Sequence, residues 1–163
     1  MSSKMFKPRS TWLKLSAMSM ALVLSVWHSR ATSSEALGGT WMFANRVAVQ
    51  VFECRGQLCG KIVWLLRPLT PTGRPDLDSL NPDPSLRQRH LCGLMIIWGL
   101  QPGAPGHWAG GSLYDPKDGV TYDVDVELTT PTTISARVYR GVQLFGRTET
   151  LTRDTQLSFD GQC

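Results

Sequence analysis

In Val47-Ala-Val-Gln-Val-Phe-Glu53 the residues Val47, Val49 and Val51 fall on one face, and farther on Tyr122, Val124, Val126 and Leu128 alternate with Thr121, Asp123, Asp125 and Glu127. A period of two marks a strand with one buried face, because successive side chains leave a pleated backbone on opposite sides. The same alternation recurs from Gly38 onward and predicts strands near 40–45, 47–54, 58–66, 93–100, 107–114, 120–129, 133–140 and 146–153. Their connections are short and carry turn formers: Asn45-Arg46, Arg55-Gly56, Asp115-Pro-Lys-Asp-Gly119 and Thr130-Pro-Thr132. About eight short antiparallel strands in one domain must close on themselves or stack as two sheets. The expectation from alternation is all-β, in one of these two forms.

One connection departs from this pattern. Residues 67–92 contain five prolines and no strand periodicity. They allow at most one helical turn, begun at Pro84 after Asp83 as a cap. A loop this long inside a small domain is usually functional or disordered. A hairpin turning about Pro131 sets Asp125 across from Arg137, Glu127 from Ser135 and Asp123 from Tyr139, and matches Val126 with Ala136 and Val124 with Val138. Cross-strand charge pairing then accounts for the acidic stripe without an active site.

The chain has 163 residues and a formal net charge of +4. Five of the 17 basic residues, Lys4, Lys7, Arg9, Lys14 and Arg30, lie in residues 1–31 with no acid, which leaves 12 against 13 in the remainder. The positive surplus is confined to the amino terminus, so a nucleic-acid partner is not expected. That terminus has the order of a secretory signal peptide: a basic leader, the apolar run Leu15–Trp27, then small residues with a cleavage position before Thr32 and a later one near Ala36. The run is too short for a membrane span and lacks the charged face of a retained interfacial helix. Residues 1–31 are therefore read as signal peptide and 32–163 as the barrel domain, exported to the periplasm or beyond, with no membrane span in the mature chain.

Cys54, Cys59, Cys92 and Cys163 are an even set of thiols in a chain read as exported. Cys54 and Cys59 flank the Arg55-Gly56 turn, where a bridge is feasible, and Cys92 is then left to staple Cys163. Zinc fits poorly, since the spacing is wrong for ligand pairs and only His90 and His107 remain beyond the leader. Asp76, Asp78, Asn81 and Asp83 put oxygen donors on the long loop, but their spacing is not that of a calcium loop and the neighbouring prolines indicate turns. Asp115 and Asp118 read as turn residues ahead of Gly119. Neither a nucleophile elbow nor a phosphate or dinucleotide loop is present, and no metal or cofactor is expected.

Gly39-Thr40-Trp41 on the first strand, with Arg153 ending the last, resembles the lipocalin and calycin arrangement, in which a basic side chain covers a tryptophan at the barrel floor. More of the chain resembles bacterial domain-of-unknown-function family 2147, whose members are small exported proteins. The matching stretches are Leu58–Trp64, Asp78–Arg89 with its Asp78, Asn81, Asp83 and Arg87, Gly93-Leu94, Trp108–Tyr122 with Asp115, Asp118 and Gly119, and Gly146–Arg153. Leu151 stands where the family usually has Trp, and Cys92 where an apolar residue is usual. The resemblance implies the architecture, a single antiparallel up-and-down β-barrel of about eight strands, and an exported location, but no reaction.

Three functions are open at this level. The first is a lipocalin-like carrier of a small apolar or amphipathic molecule, with residues 67–92 as a lid, Trp64, Trp98, Tyr139 and Phe145 as wall and Arg87 or Arg137 as an anion contact. The second is an envelope interaction protein acting through residues 67–92 with a filled barrel. The third is a hydrolase, which requires at least two of Asp78, Asp83, Asp115 and Asp118 to converge in a cleft.

Overall fold

The computed structural model describes residues 33–153 and Cys163; the expected signal peptide lies outside the described residues. Alternation at the predicted positions produces eight strands: β1 (Gly39–Phe43), β2 (Val47–Cys54), β3 (Gln57–Leu65), β4 (Met95–Pro102), β5 (His107–Asp115), β6 (Val120–Thr130), β7 (Thr133–Tyr139) and β8 (Arg147–Arg153). Each pairs antiparallel with the next. β8 returns to β1 with Trp41 opposite Arg153, which closes an up-and-down barrel.

The β6–β7 register is the expected one, with Asp125 opposite Arg137 and Val126 opposite Ala136. Charge pairing is not what occupies Asp125, however. Its carboxylate accepts the Gly110 backbone N–H at 3.0 Å, the Tyr139 hydroxyl at 3.1 Å and the Gln143 side-chain amide at 2.6 Å. Arg137 instead donates to the carbonyls of Gln143 and Leu144 and to the Thr148 hydroxyl. A guanidinium has enough donors to bind a carbonyl-rich turn, and the short helical turn Gln143–Phe145 supplies one beside it.

β4 begins two residues later than the alternation suggests. Gly93 and Leu94 are drawn into a turn, with Leu94 N–H on the Leu91 carbonyl and Gly93 N–H on that of Ile62. A short helix, α1 (Ser33–Leu37), precedes β1 and carries no strand or helix periodicity of its own. Five residues do not hold a helix by propensity, so tertiary contacts must hold this one.

Side chains facing inward form two packed clusters. One, around Leu37, Trp41, Leu58, Leu100 and Trp108, gathers where α1 meets the barrel. The other, Val49, Ile62, Leu94, Ile96 and Tyr114, lies toward the opposite end. Two disulfides add covalent ties. Cys54–Cys59 spans 5.9 Å between Cα atoms as a diagonal, since Cys54 lies opposite Gln57 and Cys59 opposite Phe52. Cys92–Cys163 joins the end of the long loop to the carboxy terminus, with Cα atoms 4.9 Å apart.

Candidate ligand cavity and its rim

Trp41 and Arg153 stack at one end of the barrel. Trp41 is fully buried and donates its indole N–H to the Leu37 carbonyl at 2.8 Å. The Arg153 guanidinium lies 4.2 Å from the centre of that indole and donates to the carbonyls of Gly38 at 2.6 Å and Ala36 at 2.7 Å. Cation–π contact and hydrogen bonds thus join β8, β1 and α1 in one plug. Gly39 is required here: its φ is 117°, and a Cβ would sit 2.6 Å from Nη1 of Arg153.

Above the plug the interior is open. A cavity of about 410 Å³ runs from Trp41 and Leu151 past Val49, Ile62, Val124 and Ile134 to a charged rim. This is within the size range of small-molecule sites, and its wall is aliphatic. The rim carries Arg46 from the β1–β2 turn, Arg67 and Asp76 from the long loop, Asp115 and Lys117 from the β5–β6 turn, and Arg147 and Glu149 from β8. Arg147 holds one side together. Its Nε bonds Glu149 at 3.0 Å, its Nη2 lies 3.6 Å from Asp115, and its guanidinium is 5.0 Å from the centre of the Tyr122 ring.

The long loop is ordered by a buried polar knot. Asp78 is fully buried; it accepts the Tyr114 hydroxyl at 2.5 Å, the Asn81 amide at 2.8 Å and Arg89 Nη2 at 2.7 Å. Asn81, also buried, donates to the Tyr114 oxygen at 3.1 Å and through its own side-chain oxygen accepts the Asp83 backbone N–H. Burial alone would raise the Asp78 carboxyl, but the hydrogen bonds from Tyr114, Arg89 and Asn81 outweigh it and hold the group below its usual range. Burial, then the bond to Asp78, pushes Tyr114 up to about 12. Arg87 Nε ties to the Asn81 carbonyl at 2.7 Å, and Asp83 caps the turn Pro84–Leu86 through the Ser85 N–H. At Gly119, where φ is 71°, a Cβ would collide with the Leu80 carbonyl, so the β5–β6 turn is seated directly under the loop. The two motifs Asp78–Arg87 and Asp115–Gly119 meet here, as a latch.

This geometry removes the premise of a hydrolase. Asp78 is saturated by its three donors; Asp83 caps its own turn; Asp115 takes the Lys117 N–H, and Asp118 takes the Val120 N–H and the Tyr122 hydroxyl. Of the four, only Asp115 lines the cavity. Among the described residues, no group of three or more His, Cys, Asp or Glu side chains is arranged to hold a metal ion. Among the same residues no helix is long and apolar enough to cross a membrane.

The aromatic wall expected from the sequence is not where the structure puts the wall. Val49 pairs with Ile62 but Ala48 pairs with Trp64, so a β-bulge at Val63 turns Trp64 off the inward face. Trp98 alternates with the inward Ile97 and is 38% exposed. Tyr139 and Arg137 alternate with the inward Val138 and belong to the outer face with Asp123 and Asp125. Phe145, 85% exposed, sits on the helical turn before β8, and Arg87 is spent inside the loop. None of these six lines the cavity. The rim residues Arg46, Arg67, Lys117, Arg147 and Glu149 take their place. For two of them a signal was present: Arg153 over Trp41 fixes the parity of β8, which sends Leu151, Glu149 and Arg147 inward as well.

The barrel is similar to the solved structure described as "Protein HP1028 from the human pathogen Helicobacter pylori belongs to the lipocalin family", with a TM-score of 0.63, 25% identity, and coverage of 74% of this chain and 84% of that one. A search of curated proteins returns no match. Residues 39–153, from the plug glycine to the plug arginine, match the family described as "Uncharacterized protein conserved in bacteria (DUF2147)", and the chain belongs to that family.

Proposed function

We propose that this protein is an exported binder or carrier of a small apolar or amphipathic molecule, which it holds inside the barrel within the bacterial cell envelope. The observation that carries the reading is the open aliphatic cavity of about 410 Å³. A filled barrel acting only through the loop requires a packed interior. In addition, the loop spends its polar groups on the latch rather than presenting them outward. The lipocalin membership stated for the Helicobacter pylori protein supports the same reading.

Export rests on the leader pattern and on two disulfides, which persist in oxidising compartments. The Ala36 carbonyl is bound by Arg153 and that of Leu37 by Trp41, so a chain cut before Thr32 keeps the plug and one cut near Ala36 does not. An intact Met1 in the mass of protein purified from its native cells overturns export. For binding, the test is a titration with the neutral probe N-phenyl-1-naphthylamine and a series of fatty acids, following probe and tryptophan emission. Trp41 at the cavity floor provides the internal reporter. Saturable binding of the probe, displaced by fatty acid, is the expected result; a flat response across the series overturns the carrier reading.

A further inference from the structure

We propose that the molecule held in the barrel is an anionic amphipath, an alkyl chain ending in a single carboxylate or comparable anion, with its head between Arg46, Arg67 and Lys117. The inference deepens the carrier reading and rests on it. Three separate turns of the chain bring these cations to the rim of one cavity. Among the described residues their side chains make no hydrogen bond and no ion pair.

The acids on the same rim are already engaged. Glu149 accepts from Arg147 Nε at 3.0 Å. Asp115 accepts the Lys117 backbone N–H at 3.0 Å and lies 3.6 Å from Arg147 Nη2. Asp76 accepts the Leu77 N–H at 3.1 Å and keeps its charge, so the rim holds four cations against three acids and a surplus of one positive charge. Arg147 therefore answers Glu149 and Asp115, while Arg46, Arg67 and Lys117 face the cavity mouth with donors and charge but no acceptor. A ligand group that brings one negative charge and two or three acceptor oxygens completes that arc.

Below the rim the wall restricts the rest of the ligand. Tyr114, the polar side chain nearest the aliphatic cluster of Val49, Ile62 and Ile96, already donates to Asp78 and accepts from Asn81. Trp41 donates to Leu37. A sugar, nucleotide or peptide would bury polar groups there without partners, at a cost of several kcal/mol by transfer data. An alkyl tail has none to bury, so the head stays at the mouth and the tail takes the interior.

The test is displacement of N-phenyl-1-naphthylamine by decanoate and, separately, by methyl decanoate, which shares the tail and lacks the charge. The purified chain is compared with the Arg46→Gln, Arg67→Gln, Lys117→Gln triple variant. Contacts of a ligand anion with three exposed cations are worth about tenfold in affinity together. Decanoate is expected to bind about that much tighter than the ester, with the gap narrowing as salt is added and closing in the variant. Unchanged ester affinity shows that the variant is folded. Equal binding of acid and ester to the unaltered chain overturns the head-group assignment and leaves the carrier reading standing. Failure of probe, acid and ester alike to bind overturns the carrier reading itself.

Discussion

At the scale of single residues, the chemistry-bearing side chains of this chain hold its shape. Asp78 and Tyr114 show this most directly, because each is buried, each satisfies the other, and their titration acts on stability with opposite signs. The folded Asp78 carboxyl lies below its unfolded value, so its contribution is complete above the unfolded value of about 3.9 and is lost as pH falls through the lower folded one. Tyr114 is raised to about 12, so its contribution is complete below the unfolded value of about 10 and is lost as pH climbs through about 12. Stability measured by urea denaturation is expected to be level between these limits and to fall on both sides. Tyr114→Phe is expected to make the alkaline fall shallower, with the raised Tyr122 and Tyr139 keeping the rest of it. Asp78→Asn is expected to make the acid fall shallower, the lowered Asp83 and Asp118 keeping the rest of it, and, by disturbing the acceptor of the buried Tyr114 hydroxyl and Asn81 amide, to lower stability at neutral pH by about 1–3 kcal/mol.

At the scale of elements, the long loop and the β5–β6 turn behave as one unit because Gly119 lets the Leu80 carbonyl approach its Cα. Gly119→Ala asks a left-handed position to carry a Cβ, at about 1 kcal/mol, and drives that Cβ into backbone rather than into a side chain able to swing away. The expected outcome is a loosened latch. The Asp78 N–H on the Arg89 carbonyl and the Leu91 N–H on that of Asp76 should exchange faster with solvent, while β6 and β7 amides keep their protection. Equal exchange in the two proteins would mean that the turn does not support the loop. Elements also mark how much could be read from the chain beforehand. Strand number and the β6–β7 register follow from alternation and turn chemistry, which are local, whereas the floor pair Trp41–Arg153 was legible only through the resemblance to the lipocalin arrangement. The bulge that turns Trp64 outward depends on how β3 meets β2, and alternation within one strand does not register it. Arg137 and Tyr139 are a different matter. A register that sets them opposite Asp125 and Asp123 already assigns them to the outside of the barrel. α1 was invisible because its order comes from side chains outside it, the Trp41 indole on the Leu37 carbonyl and the Arg153 guanidinium, from the far end of the barrel sequence, on that of Ala36.

At the scale of the molecule, one end of the barrel is sealed by the plug and the other is bounded by the loop and the rim, so the depth of the cavity sets what it admits. Leu151 lies just above the plug, opposite Phe43 on β1 and Ile134 on β7, two residues before Arg153. A tryptophan at this position extends an indole over the floor and shortens the usable depth without touching the rim cations. Leu151→Trp is therefore expected to discriminate by chain length. Each methylene excluded from the wall forfeits about 0.8 kcal/mol, so two that no longer fit cost decanoate more than tenfold in affinity, whereas hexanoate, which ends short of the floor, loses little. The variant buries additional apolar surface in a space that was open, so its thermal midpoint should hold or rise. Calorimetric titration of both acids against both proteins measures the ratio directly. If decanoate and hexanoate weaken by the same factor, the tail does not reach the Trp41 floor and the ligand occupies only the upper half of the barrel.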